Sequence, residues 1–138
     1  MNKLTLAIML LFTTAFAMAQ PRLPEKYFWK KLSNGLEVVV IENHKVPLAT
    51  IEIAVRNGAY TEGAEYSGLS HLFEHMFFKA NRDYPDQEKF LNRTQELGAI
   101  WNGTTGDERV NYFFTFDKDS LSAGLHFMNS AIRFPIYR

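Results

Sequence analysis

Two histidines four residues apart, with a glutamate just before the second, serve one purpose together only if the backbone between them is a helix. The run is His71-Leu72-Phe73-Glu74-His75. At about 100° per residue, His75 falls about 40° from His71, and Glu74 lies about 60° to the other side. The three polar side chains are therefore expected on one narrow face. Leu69, Leu72, Phe73, Met76 and Phe77 are expected on the opposite arc, where the helix would pack on a sheet. Two imidazoles spaced i and i+4 can bind a single Zn²⁺, which takes nitrogen ligands in tetrahedral geometry. Glu74 adjoins these ligands without being one, so it can accept a proton from a water that zinc has acidified.

The rest of the chain supplies a sheet for such a helix. Residues 27–32 and 36–42 are β-prone runs flanking Ser33-Asn34-Gly35, and an Asn-Gly pair in that setting predicts a hairpin. Asn43 to Pro47 breaks the chain, and 48–57 resumes as a strand. Its Ile51, Ile53 and Val55 alternate with Glu52 and Arg56, which implies one buried face. A small-residue loop over 58–67 precedes the metal helix, expected over 68–79. Pro85 and Asp86 open a second helix running to about Leu97, with Asp86 as N-cap and Gly98 as its stop. Residues 99–106 and 108–116 read as extended. A third helix is expected over 120–134, with Leu121, Leu125, Met128 and Ile132 on its apolar stripe. Strands, then helices, then a hairpin-like pair and a closing helix predict an α+β fold with an antiparallel sheet.

Composition narrows the classes. The formal net charge of +0 leaves no electrostatic footprint for nucleic acid or an anionic membrane surface. Hydrophobic residues at 46% and charged residues at 22% are an ordinary globular balance. The N-terminus is different in kind. Lys3, an apolar run over 4–17, and Ala17-Met18-Ala19 before Gln20 read as a cleavable signal peptide over 1–19, too short to be a stable membrane anchor. The expected mature chain is 20–138, exported and periplasmic or secreted. The chain has no cysteine, which rules out a disulfide framework and fits a bacterial periplasm best.

The order H-x-x-E-H is the inverted form of H-E-x-x-H. The longer stretch Ser67-Gly68-Leu69-Ser70-His71-Leu72-Phe73-Glu74-His75-Met76-Phe77-Phe78-Lys79 resembles the signature of the pitrilysin family, the insulinase-like zinc peptidases. Leu32-Ser33-Asn34-Gly35-Leu36 resembles that family's opening hairpin, and Arg56-Asn57-Gly58-Ala59 the strand end before its metal helix. Leu97-Gly98-Ala99 with Asn102-Gly103-Thr104-Thr105 resembles its substrate strand. The likeness covers 32–138.

This resemblance implies an endopeptidase that cuts peptides or small proteins inside a closable chamber. His71 and His75 would be zinc ligands and Glu74 the general base. Asn102, Gly103 and Thr104 match positions where the family pairs an extended substrate with an edge strand. Backbone-binding roles are therefore assigned to these three; the lesser alternative is a plain Asn-Gly turn, whose weight is raised because the family usually has Ala where Gly103 stands. A catalytic zinc needs a third protein ligand. The resemblance puts it, a Glu, on a later helix that the 63 residues after His75 are too few to reach. Glu88, Glu96 and Glu108 are expected to point to solvent instead, as are His44 and His126. A second, similar half is also implied. The expectation is therefore an incomplete, inactive fragment of a longer peptidase. The alternative is a non-catalytic peptide-binding or partner subunit of a peptidase complex.

Overall fold

The structure, a computed structural model, describes residues 25–137. The signal peptide expected over 1–19 lies outside the described residues. Two units are distinguished, one ending at Lys45 and one beginning at Val46.

In the first unit, β1 (Tyr27–Lys31) and β2 (Glu37–Ile41) form an antiparallel hairpin in the register Tyr27↔Ile41 to Lys31↔Glu37. The expected turn is present. Gly35 takes a φ of 88°, which a side chain would disfavour. The Asn34 carbonyl oxygen accepts the Leu36 N–H at 3.1 Å, and Leu32 and Leu36 close the loop at 2.8 Å.

The second unit is α+β. Its sheet is antiparallel, in the order β3 (Leu48–Val55), β5 (Val110–Asp117), β4 (Ile100–Thr105). Side chains alternate strictly across it. Val110, Tyr112, Phe114 and Phe116 of the central strand are buried on one face. Their cross-strand partners Ala49, Ile51, Ile53 and Val55 on β3, with Trp101 on β4, extend that apolar face. Three helices complete the unit: α1 (Leu69–Phe77), α2 (Gln87–Glu96) and α3 (Leu121–Arg133).

Aromatic rings fill the core between helices and sheet. Phe127 of α3 lies 4.8 Å from Phe90 of α2 and 5.4 Å from Phe114 of β5, centroid to centroid. Phe78 stacks on Trp101 at 4.5 Å, and Phe77 on Tyr112 at 4.1 Å. Pairs of this kind contribute about 0.5–1.5 kcal/mol beyond the area they bury. The caps are those expected for α2: Asp86 accepts the Lys89 N–H at 2.8 Å, and Gly98 leaves the helix at φ 59°.

Two helix faces differ from the sequence expectation. On α3 the buried side is Gly124, Phe127, Met128, Ser130 and Ala131, whereas Leu121 and Leu125 are exposed. Met128 and Ile132 do face inward, so the stripe is rotated by less than half a turn. The cause is Gly124, which lets α3 settle directly on the Phe116 ring. On α1 the correction is larger and bears on the site.

Candidate metal centre

Helix α1 begins without a side chain of its own to cap it. Gly68 occupies the N-cap at φ 89°, so the free N–H groups of the first turn need an acceptor from elsewhere. Glu62 supplies it. One carboxylate oxygen accepts the Gly68 N–H and the other the Ser70 N–H, each at 2.6 Å. Hydrogen bonds from the Ser70 side chain and backbone, then from the Gly68 backbone, hold the Glu62 carboxyl below its ordinary range. Asn57 donates to Ser70 Oγ at 2.9 Å, tying the end of β3 to the same turn. Close packing of Gly58 on the Gly106–Asp107 backbone leaves no room for a Cβ there, and the Ala59 and Tyr60 N–H groups bond to those carbonyls. The loop before the helix is thereby anchored to the loop between β4 and β5.

On α1, His71 and His75 are exposed and adjacent. Their Nε2 atoms are 3.1 Å apart, with ring centroids at 4.7 Å. Zinc–nitrogen bonds of about 2.0–2.1 Å at a tetrahedral angle would set two such nitrogens about 3.4 Å apart. The pair therefore fits one zinc ion with a shift of a few tenths of an ångström. No third His, Cys, Asp or Glu joins them in a metal-holding group among the described residues. Glu88, Glu96 and Glu108 are all exposed, and Glu96 is engaged with Arg93 at 2.8 Å. His44 and His126 are also exposed, the latter 3.4 Å from Asp83.

Glu74 does not share the exposed face of the histidines. It is 8% exposed and points at the sheet, in line with Ser70 and Phe77. Leu69 and Leu72, expected to face the core, are instead more than half exposed. Phe73 and Phe77 do face the core as expected, but the arc is rotated away from Leu69 and Leu72, because the side chain of Glu74 is accommodated inside by a cradle on β4. Thr105 donates its hydroxyl to Glu74 Oε2 at 2.8 Å. At Gly103 an added Cβ would lie 2.8 Å from Glu74 Oε1 and 2.9 Å from its Cγ. Below them sits Tyr112, opposite Gly103 in the register and 1% exposed. Burial, with the nearby Glu74 carboxylate adding to it, pushes the Tyr112 phenol up to about 12.

Asn102-Gly103 is therefore within a strand, and the turn that these two residues also allowed is not formed. The three residues assigned to substrate divide between two faces. Gly103 lies under Glu74, while Asn102 and Thr104 are exposed on the other side of β4. All three belong to the outer strand of the sheet, paired on one side only among the described residues. Sequence reasoning missed Thr105. Strand alternation carries the signal for it, since Thr105 shares a face with Gly103 two residues away.

Comparison with known proteins identifies the family. The family model described as Insulinase (Peptidase family M16) matches residues 37–136. An insulin-degrading enzyme homolog of Dictyostelium discoideum is 32% identical over 111 residues, which is 80% of this chain and 12% of that protein. The insulin-degrading enzyme of Homo sapiens is 27% identical over 105 residues, covering 76% of this chain and 10% of the human protein. A crystal structure of a protease from Helicobacter pylori shares the fold, with a TM-score of 0.75 at 23% identity over 82% of this chain and 27% of that one. The chain belongs to the insulinase family of zinc metallopeptidases. It spans about a tenth of the length of the curated relatives it matches.

Proposed function

We propose that this chain carries the zinc-binding part of an endopeptidase active site that hydrolyses peptides or small proteins. The observation that supports it best is the convergence of the His71 and His75 Nε2 atoms at 3.1 Å, beside a buried glutamate. In this reading the two imidazoles hold zinc, which when bound polarises the scissile carbonyl and brings a water's pKa near neutrality. Glu74 accepts the proton of the attacking water on its carboxylate and returns it to the leaving amine. The outer edge of β4 orients the substrate as an added antiparallel strand through the backbone of Asn102, Gly103 and Thr104. A third ligand and a second, similar half come from outside the described residues. The N-terminal signal-like segment supports export to a periplasm or the exterior.

The outer edge of β4, paired on one side only among the described residues, also fits a second reading, a peptide-binding subunit without catalysis. An assay of peptide cleavage with zinc added, on the chain and on Glu74→Gln, separates the two. Cleavage abolished by Glu74→Gln supports an active site complete in itself. Peptide and zinc binding without cleavage supports the incomplete site. Peptide binding without zinc supports the second reading.

A further inference from the structure

Glu74 stands between two possible roles. A carboxylate one residue from a zinc-binding histidine is itself a good zinc ligand. To serve as a base it has to stay off the metal, and nothing in the sequence spacing enforces that. The structure contains a restraint. Both carboxylate oxygens lie against β4, one on the Thr105 hydroxyl and one over the bare Cα of Gly103. Glu74 is buried where the two imidazoles are exposed. It forms no metal-holding group with them among the described residues. The Thr105 side chain is β-branched and so restricted about χ1, which keeps its donor aimed at one place.

From this we infer that Thr105 is a positioning residue that keeps Glu74 out of the metal's coordination sphere. The hydroxyl satisfies one oxygen of the buried carboxylate and binds it to the sheet. Gly103 provides the room in which that geometry is possible. The other lone pairs of the carboxylate stay available to a proton. This inference rests on the proposed zinc site, but it concerns which atoms reach the metal and not whether the chain cleaves peptides.

The test uses Co²⁺ in place of zinc on the full chain, because the visible spectrum of cobalt reports the number and type of its ligands. In wild type the spectrum should reflect two imidazoles without Glu74. Thr105→Val keeps the shape and removes the donor. It should alter the spectrum as a carboxylate joins, and tighten cobalt binding by on the order of tenfold, the scale on which outer partners act at metal sites. Thr105→Ser should retain the wild-type spectrum. The double variant Thr105→Val/Glu74→Gln should return to it, a reversal that a merely structural role for Thr105 would not produce. Thr105→Ala is the second variant if the valine chain does not fold. Cobalt spectra and affinities unchanged by loss of the hydroxyl would overturn the inference and leave the zinc site standing. Failure of the folded wild-type chain to bind cobalt would remove the site and the inference together.

Discussion

Glu62 accepts the backbone N–H of Ser70 at 2.6 Å, and so a residue outside α1 fixes where that helix starts. Its second oxygen takes the Gly68 N–H, so two donors at the start of α1 are met from outside it and His71 stands one residue beyond the anchor. The negative charge also lies at the positive end of the helix dipole.

This cap makes the fold sensitive to acid. Hydrogen bonds from Ser70 and Gly68 hold the Glu62 carboxyl below its ordinary range in the folded chain. A lowered folded pKa contributes stability that is fully present above the unfolded value and lost as pH falls through the folded one. Thermal unfolding followed from pH 6 downward should therefore show a decline as pH falls through the ordinary carboxylate range and on to the lowered folded value. Glu62→Gln should lower the Tm at pH 6 and flatten that part of the profile.

Gly103→Val should disturb the site without changing any residue of the metal motif. Its Cβ would meet the Glu74 side chain at under 3 Å. Overpacking of this kind costs about 1–3 kcal/mol, and the carboxylate must leave its place on Thr105. Chemical denaturation should show that loss in Gly103→Val and a much smaller one in Gly103→Val/Glu74→Ala.

Much of this was legible in advance, for identifiable reasons. The hairpin, the Asp86 cap and the Gly98 stop depend on local chemistry that a few neighbouring residues determine. The alternation of Ile51, Ile53 and Val55 likewise announced the buried face of β3. Helix faces were harder. On α1 the apolar Leu69 and Leu72 and the acidic Glu74 exchange the sides that hydrophobicity gives them. That exchange depends on Gly103 and Thr105, which lie about thirty residues away in sequence and meet the helix only in the fold. Gly124 shows the same limit on α3, since its role depends on the distant Phe116 ring.

Gly124→Ala gives a test in which two local rules conflict. Alanine is favoured over glycine within a helix by about 1 kcal/mol. Here its methyl would enter the Phe116 ring, which is 1% exposed and has no free side to move into. Overpacking by about 1–3 kcal/mol should prevail, so urea denaturation should find the variant less stable than wild type.

Phe127→Ala should be the most damaging single truncation of the helix layer. Its ring touches Tyr84, Phe90 and Phe114 and so joins a loop, α2 and the central strand. Such deletions cost about 3–5 kcal/mol, a large share of a domain's stability, and chemical denaturation should show the midpoint lowered accordingly.

Calorimetric titration of zinc into the folded chain, with His71→Ala and His75→Ala titrated alongside, bears most directly on the metal centre. The 3.1 Å approach of the two Nε2 atoms predicts one zinc per chain, lost in either variant. A folded wild-type chain that takes up no zinc, or zinc binding that survives both substitutions, would contradict it.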